Sequence, residues 1–375
     1  MGRSTRALTA CGALVALAHG CGDPIIVTGD QPAVMRIVAG IGDSIGTRVD
    51  TLATRTRLTE PAAVTFDEAN HTLWVADRGA LAQSQGITRR VARLFAIRSN
   101  GRIELVIDRG GCAGTICIES PFAIAVGTDG ALLITDEIGN RIFRLSGPRG
   151  PLDVIAGDGT RGETPDGRPA RNARIAAPAG IAVAPEGRIY FAERAGHRIR
   201  VIEPDGTLGT VAGIGAPGYA GDGQPAAAAR LSGPAGITLS AGTLYIADAE
   251  NHRVRAVDLA SRIIATVAGS GIAGFTGDDA RALEARLDRP LHVTLAVDGN
   301  SLFVSDFGND RVRVVDARSG VIRTFAGNGD RGYTPPGRPA GATALLRPAA
   351  LFASSSGLLF IADAGHSVVW RTALR

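Results

Sequence analysis

Six short apolar runs, each closed by an acid, recur through this chain at a nearly fixed interval. The acids are Asp77, Asp136, Glu193, Asp248, Asp306 and Asp363, and the successive gaps are 59, 57, 55, 58 and 57 residues. Chance does not preserve both a spacing and a local pattern over six copies, so one supersecondary unit is repeated along the chain.

The fourth copy shows what the unit is. It contains "PAGITLS" (234–240), "GTLYIAD" (242–248), "HRVRAVD" (252–258) and "RIIATVAG" (262–269). These are short runs of alternating or β-branched residues bounded by Gly, Asp or Asn, the pattern of antiparallel strands. In the third run the arginines are expected to face outward and Val and Ala inward. Four strands in each of six units predict an all-β chain folded as a six-bladed β-propeller. No long 3.6-residue period persists, and the only helical hints are "QPAAAARL" (224–231) and "DDARALEARL" (278–287). The high content of Gly (50) and Pro (19) agrees with many short elements joined by tight turns.

One copy is out of order. The phrase "TVAGIG" that ends later units is already present as "IVAGIG" near residue 40, before any unit has begun. The last unit supplies runs at 349–355, 357–363 and 367–373, with no fourth run after them. The segment 33–40 is therefore expected to serve as the fourth strand of blade six, so that both ends of the propeller meet in one blade and no sheet edge is left open.

Once these residues are set out, the string "PAGITL…GTLYIAD…NHRVR…TVAGSGIAGFTGDD" resembles the NHL repeat, with "ENHRVR" (250–255) carrying Arg where the family tripeptide has Leu. The resemblance runs from Ala33 to Arg375 and is strongest in units three to five. It is similar to repeats of bacterial secreted proteins, sensor-kinase ectodomains, teneurins and a zinc-dependent peptide-amidating lyase. It implies the propeller fold and leaves the function open.

The first residues, "MGRSTRALTACGALVALAHG", place Arg3 and Arg6 before an apolar run and small residues. This reads as an export signal over 1–20, too short to span a membrane. Cys21 follows in "LAHGC", which resembles a lipobox and makes Cys21 a lipidation candidate, with plain cleavage as the alternative. Residues 21–32 read as a linker and 33–375 as the propeller. All 40 basic residues are Arg; without the leader the balance is 38 basic to 36 acidic, interspersed. Neither nucleic-acid binding nor electrostatic docking on a membrane is implied, and a monomer touching membrane only through a lipid is expected. Cys112 and Cys117, in "GGCAGTICIES", are expected to form a small disulfide in an oxidising compartment.

The candidate site residues are few. The six repeated acids read as turn holders, each accepting backbone N–H bonds where its strand ends. His197, His252 and His366 follow those acids in equivalent turns and read as turn residues too. A zinc site would need them to converge on one ion, which separate blades do not favour. The Gly/Asp loops around Asp222, Asp278 and Asp279 lack both phosphate-loop and calcium-loop spacing and read as exposed turn tips. His292 differs: five blades hold Ala or Gly at its place in the first strand, near the mouth of the axial channel. It is the ligand-contact candidate, set against a plain space-filling role. No catalytic set, metal site or cofactor is expected. The chain reads as a non-catalytic recognition module for a protein or glycan partner on a loop face, with a metal-dependent lyase or hydrolase in the channel as the alternative.

Overall fold

The computed structural model describes residues 33–41, 52–79, 81–84, 87–90, 92–107, 112–113 and 116–374. The leader, Cys21 and the linker 21–32 lie outside the described residues. Six antiparallel sheets form the blades, and the first five run in chain order from an inner first strand to an outer fourth. The first strands (Pro61–Asp67, Pro121–Val126, Pro178–Val183, Pro234–Ser240, Pro290–Leu295 and Pro348–Ala353) pack side by side, and the sixth packs against the first, closing the ring. Every one opens on proline, which a strand tolerates at its first residue because no ladder N–H is lost there.

Blade six is completed from the other end of the sequence. Arg36–Ala39 pairs antiparallel with Val368–Ala373, which pairs with Leu358–Asp363, which pairs with Pro348–Ala353. Met35 is fully buried there among Phe303, Leu345, Leu359 and Trp370, and its carbonyl accepts the Gly337 N–H at 2.8 Å.

Outer edges are covered as well. The connector entering blade four lays Gln224–Pro225 along the outer strand Ile263–Ala268, and the connector entering blade five lays Ala280–Arg281 along Val321–Ala326. Isolated bridges Leu52–Arg102, Pro169–Thr207 and Val34–Pro339 repeat the arrangement in blades one, three and six. An edge strand that already has a partner offers little to another chain. These connectors are where helix was hinted, and the structure differs. Residues 224–231 hold the two-residue strand and the 3-10 turn Ala226–Ala228, and 278–287 hold the two-residue strand and turns. Backbone bonds to the neighbouring strand take the N–H groups that a helix would have used, as with Ala226 N–H to the Arg262 carbonyl at 2.8 Å.

The outward arginines of the third strands also need correction. Val254 is buried as expected, but Arg255 is fully buried too, as are Arg200 and Arg313. Alternation puts Arg253 and Arg255 on one face, and the incoming connector covers the inner part of that face.

Candidate functional site

The second strands end, and the first strands begin, on one face of the ring. There each repeated acid ties down the segment that leads into its own blade. Asp77 accepts the N–H groups of Thr59 (3.0 Å) and Glu60 (2.7 Å). Asp136 accepts those of Glu119 and Ser120, both at 2.8 Å. Glu193 accepts from Ala176 (3.2 Å), Asp248 from Ser232 (2.7 Å), Asp306 from Asp288 (2.7 Å) and Asp363 from Leu346 (2.9 Å). Burial raises the pKa of Asp136 and Glu193, and raises Asp248 and Asp306 to about 6.

The buried arginines answer these acids. Arg200 reaches Glu193 at 3.3 Å, while Arg255 reaches Asp248 and Arg313 reaches Asp306, both at 3.5 Å. Each also meets an aspartate of the covering loop: Asp166 (3.0 Å), Asp222 (2.6 Å) and Asp278 (2.6 Å). Asp222 and Asp278 are thus counter-ions to buried charge, where a free turn tip was expected. Blade one reaches the same end with Arg93 on Asp77. In blade six Trp370 donates its indole N–H to Asp363 at 3.0 Å.

The histidines do separate jobs in separate blades. His197 Nδ1 accepts the Gly233 N–H and His252 Nδ1 the Arg289 N–H, each at 3.1 Å. Asn140 accepts from Ala177 (3.0 Å) and Asp310 from Arg347 (2.9 Å) in the same way. These four side chains staple each blade to the residue before the next blade's proline. His366 sits one position earlier in its turn, three residues after Asp363, where Asn251 and Asn309 stand in blades four and five; Ser367 holds the place of His197. Its Nδ1 lies 2.8 Å from Asp363 Oδ2. Burial depresses His366, but Asp363 outweighs it and its pKa is raised; burial lowers that of His197. Among the described residues no three His, Cys, Asp or Glu side chains converge to hold a metal ion.

At the centre of this face lies a recess of about 460 Å³ whose lining includes five arginines: Arg78, Arg90, Arg194, Arg289 and Arg347. One wall is charge-balanced. Arg78 pairs with Glu60 (3.1 Å) and Glu137 (3.4 Å), Arg90 with Glu60 (2.6 Å), and Arg194 with Glu137 (3.1 Å) and Glu250 (3.7 Å). The Arg78 and Arg194 guanidiniums lie over the Phe122 ring, 5.4 and 5.9 Å from its centroid. The other wall is not balanced. Arg289 has only Asp288, at 3.4 Å, and the Arg347 guanidinium meets no carboxylate among the described residues. Between the walls lie Leu291, Phe307, Ala349 and Ala364. An apolar floor beside unpaired guanidinium favours an anion with an apolar side.

His292 is not part of that lining; Leu291, one residue before it, is. The imidazole is half-buried and packs against blade four, so close that a Cβ on Gly236 would stand 2.7 Å from both its Cδ2 and its Cα. Its Nδ1 has no hydrogen-bond partner in the described structure, and burial lowers its pKa to about 4. The recess arginines were missed because no motif marks them. The signal is positional: before the first-strand proline the six blades carry Glu60, Ser120, Ala177, Gly233, Arg289 and Arg347.

Both departures from the repeat open on this face. Blade one inserts the hairpin Leu81–Ser84/Ile87–Arg90 between its second and third strands, and Arg90 at its foot enters the recess wall. Before blade two, Cys112 and Cys117 are opposed across a two-stranded ladder, and Cys117 is disulfide-bonded.

The profile of the NHL repeat matches residues 231–256, which run from the end of a connector through the "NHRVR" turn. The chain is a six-bladed β-propeller that carries an NHL repeat. Human NHL repeat-containing protein 2 is 23% identical over 342 residues, 82% of this chain and 45% of that protein. The propeller spans less than half the length of the curated relatives it matches. Among solved structures it resembles an auxiliary nutrient binding protein of Bacteroides ovatus (TM-score 0.64, 16% identity, 91% of this chain and 76% of that one). It also resembles a gluconolactonase of Xanthomonas campestris (TM-score 0.56, 15% identity, 94% and 98%). At such identities these two share the fold with the NHL-repeat propeller. No helix among its described residues is long and apolar enough to cross a membrane.

Proposed function

We propose that this propeller is a non-catalytic recognition module, exported to the cell envelope or beyond, that engages a protein or glycan partner through the recess face. The observation that carries this reading is convergence. The inserted hairpin, the cysteine hairpin and the arginine recess share one face, while elsewhere the blades repeat one another. Loops that depart from a repeated scaffold are where binding residues concentrate. A fold neighbour named as an auxiliary nutrient binding protein supports a binding role.

The test is a pull-down of envelope protein and glycan fractions on the full chain, beside a variant with residues 80–91 replaced by a short Gly-Ser turn. Capture that depends on the hairpin is expected, and equal capture by both proteins overturns the reading. The competing function, a metal-dependent lyase or hydrolase in the channel, predicts stoichiometric metal in the purified protein.

A further inference from the structure

Arg289 and Arg347 occupy the same place in adjacent blades, and both are in the left-handed region (φ 47° and 56°). The equivalent residues of blades three and four are Ala177 and Gly233, also with positive φ. Glycine adopts this conformation without strain, whereas a long side chain does so at a cost. Nothing in the fold needs arginine here, because the staples from His252 and Asp310 act on the backbone N–H alone. Two exposed arginines are therefore kept at strained positions, on the one wall whose charge is unbalanced.

The rest of the lining limits what they receive. Glu60, Glu250 and Thr59 line the same recess. Their oxygens are acceptors for hydroxyl donors, and because Glu60 and Glu250 are already paired with arginines, that wall adds no unpaired positive charge for a second anion. Leu291, Phe307 and Ala349 suit a face of C–H groups. Resting on the recognition function above, we propose that the recess binds a polyhydroxylated monocarboxylate, an acidic sugar. In this assignment Arg289 and Arg347 hold its carboxylate, Glu60 and Glu250 accept its hydroxyls, and Phe307 lies beneath its ring. Guanidinium matches a carboxylate with paired parallel hydrogen bonds, which gives orientation as well as attraction.

Calorimetric titration with galacturonate, trigalacturonate, neutral maltotriose and a tri-glutamate peptide tests the assignment on the full chain. Binding of galacturonate or trigalacturonate with no response to maltotriose or peptide is expected. Equal binding of the monomer points to a free sugar acid, and binding of the trimer alone to a uronate within a glycan. The variants Arg289→Gly and Arg347→Gly copy the residue of blade four, so the fold is expected to keep its melting temperature. Each should weaken the acidic sugar about tenfold or more. Wild-type affinity in both variants, or binding of the peptide or maltotriose in place of the uronates, overturns the assignment. In that event hairpin-dependent capture of envelope material would still stand for the broader recognition function.

Discussion

The Arg255 guanidinium lies 2.6 Å from Asp222 Oδ1, and the two residues belong to different stages of the repeat. Arg255 is in the third strand of blade four, while Asp222 is in the connector that enters that blade from blade three. The pair recurs as Arg200 with Asp166 and Arg313 with Asp278. It also disappears as a pair: blade six has Trp370 in place of the arginine and Pro336 in place of the aspartate. Within one chain, the cation and its connector carboxylate come and go together.

This coupling predicts non-additive stability. Asp222→Ala leaves a buried guanidinium short of a counter-ion, and Arg255→Met leaves two carboxylates without theirs. Removing one partner of a buried pair costs up to about 3–5 kcal/mol, with the lower end expected for Asp222 because it is partly solvated. The double variant should be more stable than the sum of the single losses requires, by about 1 kcal/mol or more. Urea unfolding of the four proteins measures this, and strict additivity would show that the two side chains act independently.

The architecture was legible because the repeat is long and periodic. Six acids at intervals of 55–59 residues set the blade number, and a displaced "VAGIG" set the closure. What escaped was what neighbouring segments do to a strand. Alternation alone turned Arg255 toward solvent, since nothing local shows that a connector 33 residues upstream would cover it. The turn of blade six is offset by one residue, although "AGHSVV" matches "AGHRIR" through its histidine. Counting from the acid instead gives His366 the role of Asn251. Arg289 and Arg347 lay beside a marked strand start, yet their meaning depends on the charge balance of a wall built from other blades.

His292 should give acid sensitivity. Burial lowers its pKa to about 4 in the fold, against 6.5 when unfolded. The stability it contributes is complete above pH 6.5 and lost as the pH falls toward 4, up to about 3 kcal/mol. Asp248 and Asp306, raised to about 6, work in the opposite direction, since their folded state binds protons more tightly and loses stability as the pH rises from about 4 to 6. His292→Ala, which copies the small residue of Ala63, Ala123 and Ala350, removes only the first effect. As the pH drops from 7.5 to 4.5, the melting temperature of the variant should rise relative to that of the wild type. Parallel curves would mean that the imidazole protonates equally in both states.

The cysteine hairpin predicts a redox-dependent mass and a modest stability increment. Native protein should resist alkylation at Cys112 and Cys117 and take up two alkyl groups there after reduction. Closing so short a loop removes entropy from the unfolded chain worth about 2 kcal/mol. Reduction should therefore lower the melting temperature slightly while leaving the blades assembled. Two free thiols in natively exported protein would refute the bond.

The seam of blade six makes the most demanding prediction. Arg36–Ala39 is the outer strand of that blade, and Met35 reaches back through its carbonyl to the Gly337 N–H and through its own N–H to the Arg338 carbonyl at 2.9 Å. Met35→Ala removes a fully buried side chain from the cluster around Trp370 and should cost about 2–5 kcal/mol. Deleting residues 33–41 does more: it bares the edge of Val368–Ala373 and strips the partner from the connector at Pro339. A flat, apolar edge with unmet N–H and C=O groups recruits other chains. The truncated protein should form large species in size-exclusion chromatography, whereas Met35→Ala should stay monomeric and melt earlier. Adding a synthetic peptide of residues 33–41 in excess should return part of the truncated protein to the monomer position, because the peptide restores the missing strand. A truncated protein that is monomeric and as stable as the full chain would show that the ring closes without this strand.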